Sequence, residues 1–388
     1  MAGSLAGAAA PRDDVTFATR AQDGGYVVTG TNASPVLPWH ALIAFPVLEN
    51  LRASVPLPAR VVLPPASTRD LITLARISDR AGTRVNVSYR YGKGDPAAVP
   101  DPAARYLFPW EHGTKHAVDQ GYFGATTHRG MAALDFNMPE GTRICAAREG
   151  VVIATRGDSN RGGPGAAYEG WANYVDILHA DGTWANYAHL KLHGDLVRPG
   201  DRVAAGQVIG LSGKTGRASG PHLHFAVYRA SWEAEGGEAI PTLFTHLDPE
   251  PVSPVEGKTY YAVHPGGPAF TPALGERLRD ADLEAVVRPV PATRAIRVRS
   301  EQVDAKTLLW CANGTAQAQD VTVSFTRIAG LAPSRPVPYT RRVPARSEVF
   351  LFSLDRIAGA RAATFEVSWS WKRARATAPD ARAPRSAL

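Results

Sequence analysis

Three histidines and one aspartate have the side-chain types and spacing to do chemistry. His222 and His224 stand two residues apart in Pro221-His-Leu-His-Phe225, and side chains two apart on a strand project from the same face. This pair alone is a weak signal, because His-x-His also occurs by chance. His128 and Asp135 add an imidazole and a carboxylate, which Zn²⁺ favours in catalytic sites with three protein ligands and a position left for water. One histidine of the pair would complete this ligand set, and the other would lie beside the metal.

A further histidine, His189, ends Tyr187-Ala-His-Leu190 on a separate predicted strand. An imidazole that does not bind the metal can move protons at neutral pH, since its unperturbed pKa is about 6.5. Each of these five residues, taken singly, also suits a structural role, as a surface histidine at a strand end or an aspartate that caps a turn. All five in this order favour a catalytic metal site.

The elements that would position these residues are strands. The chain contains 36 Gly and 31 Pro and few stretches with helical periodicity, so we predict an all-β protein. Between residues 106 and 261 we predict an antiparallel sheet folded over itself, with glycine-rich loops at 156–170 and 212–220. Within it, an Asp-Gly turn at 181–182 separates two alternating segments, which predicts a hairpin that ends at His189.

Two segments on either side of this region match each other. Residues 26–91 and 307–371 both alternate apolar and polar residues between Pro and Gly breaks. At a constant offset, the aligned pairs include Pro64/Pro344, Ser67/Ser347, Leu71/Leu351, Leu74/Leu354, Val87/Val367, Tyr89/Trp369 and Tyr91/Trp371. We interpret the segments as two copies of one β-sandwich module, with chance similarity between β-rich segments as the alternative.

The predicted organisation is a central folded antiparallel β-sheet domain flanked by two β-sandwich domains. The predicted segments are 1–20 as a disordered end or signal remnant, 21–103 as a β-sandwich module, 104–262 as the catalytic domain, 263–292 as a linker, 293–375 as the repeated β-sandwich module and 376–388 as a disordered tail. The first ten residues end in small residues like a signal cleavage region, but they lack a basic start and a sufficient apolar stretch. No apolar stretch approaches the roughly 20 residues that span a bilayer, so we expect no transmembrane segment.

Charge and cysteine content narrow the possible partners. A net charge of +7 would attract nucleic acid, anionic membranes or anionic cell-wall polymers, but a solvated basic surface without a specific polyanion site is the simpler interpretation. The Lys and Arg residues are scattered and form no dense stripe interleaved with aromatics, so we expect no nucleic-acid partner. Cys145 and Cys311 lie far apart in apolar segments, which favours two buried free thiols over a disulfide.

Five segments together resemble the lysostaphin/LytM-type zinc metallopeptidases, which cleave peptidoglycan cross-links. The segments are His128-Arg-Gly with Asp135-Phe-Asn-Met-Pro-Glu-Gly-Thr142, Ala147-Arg-Glu-Gly-Val-Val152, Tyr187-Ala-His-Leu190, Gly206-Gln-Val-Ile-Gly210 and Ser219-Gly-Pro-His-Leu-His-Phe225. Carried over position by position, the resemblance implies that His128, Asp135 and His224 bind Zn²⁺. It also implies that His189 and His222 are catalytic without binding the metal, and that Tyr122 lies near the developing oxyanion.

One spacing departs from the family pattern. The compact form of the family has fewer residues between its first His and its Asp than separate His128 from Asp135 in this chain. The context Asp-Phe-x-Met-Pro-x-Gly-Thr that follows is intact, so the longer insertion resembles variants with a bulged turn.

The resemblance implies a zinc-dependent endopeptidase that hydrolyses peptide bonds of peptidoglycan by means of a metal-activated water. It further implies peptidoglycan peptide as substrate and an extracytoplasmic location, either periplasmic or secreted. One alternative is a metal-free relative that binds peptidoglycan or activates another hydrolase, and zinc content would distinguish the two. A second alternative is a sugar-phosphate carrier or lipoyl-like module, since Pro199-Gly-Asp-Arg-Val203 followed by Gly206-Gln-Val-Ile-Gly210 is a pattern of such folds. That alternative leaves His128 and Asp135 unexplained.

Overall fold

The structure is a computed structural model that describes residues 14–234, 236–357 and 363–374. The predicted tail at 376–388 and the first thirteen residues of the predicted 1–20 end lie outside these ranges. Strands dominate the described residues, and the helical segments are one short helix, α1 (Asp280–Glu284), and two 3-10 turns at Ala166–Tyr168 and Gly275–Arg277. The all-β prediction is confirmed. In this described part of the chain, no helix has the length and apolar character to cross a membrane.

The first compact unit, Met1–Phe270, begins with a β-sandwich. Its strands are β1 (Val15–Gln22), β2 (Gly25–Asn32), β3 (Trp39–Glu49), β4 (Leu51–Ala53), β5 (Ala59–Leu63), β6 (Ser67–Arg76) and β7 (Arg84–Lys93). One sheet has the order β1-β2-β6-β4 and the other the order β5-β3-β7. Alternate residues of each strand point inward. The shared core therefore combines Val28 and Ile72 from one sheet with Ala41 and Ile43 from the other.

The rest of the first unit is built on one large antiparallel sheet. The strands of this region are β8 (Tyr106–Leu107), β9 (Lys115–Gln120), β10 (Ala133–Asn137), β11 (Arg143–Cys145), β12 (Gly150–Arg156), β13 (Gly162–Gly163), β14 (Asn173–Leu178), β15 (Trp184–Asp195), β16 (Arg202–Val203), β17 (Val208–Ser212), β18 (Gly216–Arg217), β19 (His222–Arg229), β20 (Glu238–Ile240), β21 (Phe244–Thr245) and β22 (Thr259–Tyr261). The main path of the sheet runs β16-β12-β14-β15-β19-β10-β9-β22, and β11, β17 and β20 join its sides.

An aromatic core lies on one face of this sheet. Phe108 stacks on Phe244 and on Tyr260, with ring centroids 4.8 and 4.9 Å apart, and Phe136 and Phe225 belong to the same cluster. Since successive side chains of a strand point to opposite faces, the neighbours of Phe136 and Phe225 in sequence project away from the core. Those neighbours include Asp135 and His224.

The predicted hairpin is present. β14 and β15 pair antiparallel up to Leu178 and Trp184, and the turn between them contains Gly182 with φ +80°. Glycine adopts this left-handed conformation without the steric cost that a Cβ atom would add. The hairpin carries His189 on its second strand, in the middle of the sheet.

The second unit, Thr271–Leu388, contains another β-sandwich. Its strands are β23 (Val287–Pro289), β24 (Ile296–Val303), β25 (Lys306–Asn313), β26 (Gln319–Ala329), β27 (Leu331–Pro333), β28 (Tyr339–Val343), β29 (Ser347–Arg356) and β30 (Thr364–Arg373). One sheet has the order β23-β29-β25-β24, with β27 also on β29, and the other has the order β28-β26-β30. Val321 and Val323 of one sheet pack with Leu351 and Leu354 of the other in the core.

The two sandwiches share a buried asparagine at the end of equivalent strands. Asn32 ends β2, and its side-chain amide donates to the carbonyls of Leu37, Leu63 and Pro64. Asn313 ends β25, and its side-chain amide donates to the carbonyls of Gln317, Val343 and Pro344. The same pattern of three accepting carbonyls therefore recurs in the two sandwiches.

Two strands extend beyond the predicted module boundaries. β1 begins at Val15, inside the segment predicted as a disordered end, and β23 lies inside the predicted linker 263–292 and pairs with β29. Both lie at the edge of a sheet and expose most of their side chains. An edge strand can be held by backbone hydrogen bonds alone, so its sequence carries only a weak apolar pattern.

The two cysteines are buried free thiols in different units, as predicted. Burial raises the pKa of Cys145 and of Cys311 to about 12, so both stay protonated at neutral pH. Cysteine chemistry therefore has no part in the groove described below.

Replacing Asn313 with alanine is expected to destabilise the second unit by about 2 kcal/mol, because carbonyls in its interior lose their donor. Calorimetry of the full chain would show this as a lower unfolding temperature for the transition of that unit. Thr322→Ala is the matched control, since it removes only an exposed bond to Thr340 and should cost less than about 0.5 kcal/mol. Equal unfolding temperatures for the two variants would contradict the role of Asn313.

Candidate metal centre and groove

Strands β10 and β19 bring the aspartate and the histidine pair together. In their antiparallel register Asp135 lies opposite His224, and Asn137 lies opposite His222. Directly paired residues on neighbouring strands project to the same face of a sheet. Because Leu134 and Phe136 point into the aromatic core, Asp135 points to the other face, together with His224 and His222.

A turn absorbs the long insertion between His128 and Asp135. The Met131 N–H donates to the carbonyl of His128 at 3.0 Å, and Gly130 has φ +74°. The chain then enters β10, and Nε2 of His128 lies 3.2 Å from Oδ1 of Asp135. The departure from the compact family spacing therefore does not keep Asp135 away from His128.

Three atoms that can bind a metal converge at this point. One ligand atom from each of His128, Asp135 and His224 lies within 4.8 Å of the ligand atoms of the other two. Oδ1 of Asp135 is 3.2 Å from Nε2 of His128 and 3.1 Å from Nδ1 of His224. A tetrahedral ion with bonds of about 2.1 Å holds its ligand atoms about 3.4 Å apart. Two imidazoles and a carboxylate at these distances fit Zn²⁺.

The carboxylate of Asp135 is held ionised in a mostly buried position. Burial by itself would raise its pKa, but hydrogen bonds and charges from His128, His224 and His222 outweigh burial and hold the pKa well below its usual range. Nε2 of Gln120 donates to the second carboxylate oxygen, Oδ2, at 3.0 Å. Oδ1 thus remains for the converging histidines.

A β-bulge turns His189 toward the histidines of β19. Tyr187 and Leu190 both lie in the core, although side chains three residues apart on a regular strand point to opposite faces. The alternation changes at His189, which has φ +66° and lies at a register shift between β14 and β15. Its ring centroid is consequently 4.6 Å from that of His222 and 5.8 Å from that of His224.

Backbone carbonyls orient the rings of His189 and His222. Nδ1 of His189 donates to the carbonyl of Thr215 at 2.6 Å, and Nδ1 of His222 donates to the carbonyl of Gly220 at 2.9 Å. A neutral imidazole protonated on Nδ1 carries its lone pair on Nε2, which can accept a proton. Burial, reinforced by His222 and His224, lowers the pKa of His189 to about 3, so this ring is neutral at neutral pH.

Tyr122, which the resemblance implies to lie near the oxyanion, makes its hydrogen bonds with Thr242. Its hydroxyl is 2.9 Å from Oγ1 of Thr242 and also bonds to the Thr242 backbone. The ring packs against the aromatic core, and burial raises its pKa to about 12. A tight turn, closed by the Gly124 N–H and the Gly121 carbonyl, directs this side chain inward, which its distance from His128 in sequence does not reveal.

The open face of the sheet forms a groove of about 660 Å³ around these side chains. The floor includes Ala188 and Asn186 of β15 and Tyr228 of β19. The loops at 164–172 and 217–219 form one side, where Arg217 pairs with Glu169 at 2.6 Å. A groove of this volume, lined by apolar surface and a few placed polar groups, is typical of a ligand site.

Two further residues, Gln120 and Thr215, hold the site in place. Gln120 fixes the carboxylate of Asp135, and Gln120 is itself held by the backbone N–H groups of Thr126 and Thr127. Thr215 accepts from His189 through its carbonyl and donates through its hydroxyl to the carbonyl of Leu190 at 2.6 Å. An amide and a main-chain carbonyl have no distinctive spacing in sequence, so only the fold identifies them.

Part of the chain matches a known family of peptidases. Residues 127–238 match the family model of Peptidase family M23, which confirms the resemblance to the lysostaphin/LytM-type peptidases. The peptidoglycan DD-endopeptidase ShyA of Vibrio cholerae is 43% identical over 91 residues, which cover 24% of this chain and 18% of that protein. Lysostaphin of Staphylococcus simulans is 35% identical over 118 residues, which cover 30% of this chain and 22% of lysostaphin. The chain thus matches less than a quarter of the length of either relative.

The solved catalytic domain of lysostaphin from Staphylococcus simulans is also similar. It is 32% identical to this chain with a TM-score of 0.25, and the match covers 33% of this chain and 86% of that domain.

The half-buried ring of His189 is expected to stay neutral from pH 8 down to pH 5. Burial disfavours the imidazolium, so the proton binds only near the lowered pKa of about 3. Nuclear magnetic resonance of ring-labelled histidine would follow its signals across this range. In the urea-unfolded chain the same ring should titrate near about 6.5. A midpoint near that value in the folded protein would show that the ring is not buried as described.

Proposed function

We propose that this chain is a zinc-dependent endopeptidase that hydrolyses peptide bonds in the peptide part of peptidoglycan. The observation that carries the proposal is the convergence of Nε2 of His128, Oδ1 of Asp135 and Nδ1 of His224 in an open groove. The match of residues 127–238 to Peptidase family M23 and the names of the relatives support the same reaction and substrate.

The three converging side chains would hold the metal. Two neutral imidazoles and one carboxylate leave a divalent ion with net positive charge, and Gln120 keeps the carboxylate of Asp135 oriented. When bound, Zn²⁺ supplies Lewis-acid chemistry, which polarises the scissile carbonyl and lowers the pKa of water toward about 7.

His189 and His222 are the proton carriers of the proposed reaction. Their Nδ1 atoms are tied to carbonyls, so both present Nε2 toward the attacking water. The lowered pKa of His189 makes this ring a weak base and, once protonated, a strong acid toward the leaving amine. Nε2 of His222 lies 3.7 Å from Oδ1 of Asp135, close enough for the carboxylate to stabilise the ring once it is protonated. A protonated ring can then donate to the developing oxyanion or to the leaving amine, which assigns to a histidine the role predicted for Tyr122.

The surroundings of the site support a polymeric substrate outside the cytoplasm. The groove is open, and its floor follows the strands, which suits an extended peptide. A net charge of +7 favours approach to anionic cell-wall polymers. We therefore place the protein in the periplasm or outside the cell. The two β-sandwich modules, predicted at 21–103 and 293–375, would be copies of one unit on either side of the catalytic domain.

We do not favour the metal-free alternative. A relative that only binds peptidoglycan or activates another hydrolase has no need of a complete set of ligands. In this chain all three side chains are present and their donor atoms converge. Zinc content remains the direct discriminator.

The purified chain is expected to bind one Zn²⁺, and the histidine variants should separate into two classes. His224→Ala removes a ligand and should lose both zinc and activity. His189→Ala and His222→Ala should keep zinc and lose activity by about 10²- to 10⁴-fold, the range for removal of general acid–base catalysis. Mass spectrometry would measure both the metal content and the peptides released from purified sacculi.

Exposed His193 on β15 provides the matched control, because His193→Ala should change neither quantity. Chelation should abolish release of peptides, and added Zn²⁺ should restore it. Undiminished digestion of sacculi by the metal-free protein would refute the proposal, as would full activity of His222→Ala.

Tyr122→Phe is expected to keep activity within about twofold of the parent protein. Its hydroxyl bonds to Thr242 and not to the groove, so its removal should instead cost about 1 kcal/mol of stability. Turnover on sacculi and the unfolding temperature would be measured together. A hundredfold loss of turnover with unchanged zinc content would instead support a role for Tyr122 in stabilising the oxyanion.

A further inference from the structure

The first sandwich reaches the groove through a buried ion pair. Lys93 is the last residue of β7, and its Nζ lies 2.6 Å from Oδ2 of Asp176 on β14 of the central sheet. The Asp176 side chain is only 5% exposed and that of Lys93 28%. The other carboxylate oxygen of Asp176, Oδ1, accepts a hydrogen bond from Nδ2 of Asn186 at 2.6 Å. These three residues form a continuous Lys93–Asp176–Asn186 relay.

The relay ends beside the candidate metal centre. Asn186 on β15 lies opposite Asp176 on one side and opposite Ala226 of β19 on the other. Ala226 is two residues from His224, so Asn186 projects to the same face of the sheet as His224. Asn186 accordingly lines the groove, one pleat along from the row that contains Asp135 and His224.

Charge balance fixes the direction in which the Asn186 amide points. A carboxylate as buried as that of Asp176 is costly unless it is paired and hydrogen-bonded, and Lys93 and Asn186 together satisfy both of its oxygens. Nδ2 of Asn186 is therefore committed to Asp176. Within the described ranges, Oδ1 of Asn186 has no hydrogen-bond partner and is not sealed from solvent, so it faces the groove as an acceptor.

We propose that Oδ1 of Asn186 accepts a hydrogen bond from a backbone N–H of the bound peptide, and that Lys93 of the first sandwich positions this amide through Asp176. The inference rests on the proposed function only for the class of ligand, which is a peptide. The negative charge of Asp176 behind the amide favours a donor at this point of the groove over a carboxylate. The first sandwich would thus contribute to peptide binding without contacting the peptide.

A purely structural role for Lys93 is the competing explanation, and the chain offers a matched control for it. Arg60 and Glu233 form a second ion pair between the first sandwich and the central region, at 3.4 Å. Their side chains are 57% and 79% exposed, and neither residue lines the groove. Glu233→Gln therefore breaks a contact between the same two parts of the chain and leaves the relay intact.

The test measures peptide binding in a His189→Ala background, in which turnover is slower by about 10²- to 10⁴-fold. Soluble muropeptides prepared from sacculi serve as the probe, and calorimetry gives the dissociation constants. Asn186→Ala and Lys93→Met should each weaken binding about fivefold, the loss expected for one hydrogen bond. Lys93→Arg should restore most of the affinity. Glu233→Gln should change nothing, and the zinc content should stay constant throughout.

The double variant Lys93→Met/Asn186→Ala separates positioning from structure. If Lys93 acts through Asn186, the double variant should bind no more weakly than Asn186→Ala alone. The inference would be overturned if the losses of affinity in the two single variants multiplied in the double variant. Unchanged binding by Asn186→Ala would also overturn it. If Lys93→Met folds poorly, Lys93→Met/Asp176→Asn replaces it, because that pair buries no unmatched charge.

The outcomes also distinguish this inference from the proposed function. Suppose that muropeptide binding depends on Asn186 but the wild type leaves sacculi intact. That result would refute the peptidase and support the relay. Cleavage by the wild type without dependence of binding on Asn186 would refute the relay alone. A parent protein that binds no muropeptide, together with a wild type that leaves sacculi intact, would overturn both.

Discussion

The ionised carboxylate of Asp135 is the charge on which the arrangement of the groove depends. A charge that is mostly removed from water must be matched by hydrogen bonds or opposite charge, or the group becomes neutral. The surrounding groups meet this requirement from three directions, with His128 from the preceding turn, His224 from the paired strand and Gln120 from β9. Nε2 of His128 and Nδ1 of His224 lie 3.2 and 3.1 Å from Oδ1, and once these nitrogens have lost the protons that they share with the carboxylate, all three atoms can bind one cation. The constraint that keeps Asp135 charged therefore also builds a site for a divalent cation.

Regular alternation along the strands places core residues on one face of the sheet and site residues on the other. Two irregularities in strand pairing move further side chains to the face of the site. On β10 and β19, Leu134, Phe136, Leu223 and Phe225 face the aromatic core, while the residues between them face the groove. A register shift beside Asp135 lets Gln120 of β9 reach the carboxylate although Val118, two residues earlier, lies in the core. The bulge at His189 does the same on β15. A bulge changes the face of one side chain at the cost of one unpaired residue, so the rigid core and the polar face share the same strands.

The sequence predicted those parts of the site that follow from strand periodicity and residue type. His222 and His224 share a face because they are two residues apart, and the Asp-Gly turn predicted the hairpin that carries His189. The family resemblance supplied the grouping of these residues with His128 and Asp135. The hydrogen bond of Tyr122 to Thr242 could not be predicted, because closeness in sequence to His128 does not fix the direction of a side chain in a tight turn. No sequence pattern indicates Gln120, Thr215 and Asn186. They act through amide groups or a main-chain carbonyl, which have no distinctive spacing, so only the strand register reveals them. The edge strands β1 and β23 were missed since backbone pairing holds them with few buried side chains.

The Lys93–Asp176–Asn186 relay shows how a neighbouring sandwich can shape a catalytic groove from outside. A buried ion pair contributes little net stability, since the desolvation of both charges offsets most of their attraction. The ion pair instead orients the Asn186 amide. Lys93 pairs with one carboxylate oxygen of Asp176, so the other oxygen must accept a hydrogen bond from Asn186, and the amide can donate that bond in one orientation only. An apolar contact between the same two parts of the chain would hold them together equally well and leave that amide free to rotate. Lysine at position 93 is thus explained by the orientation it imposes on the floor of the groove, since the attachment of the sandwich alone does not require it.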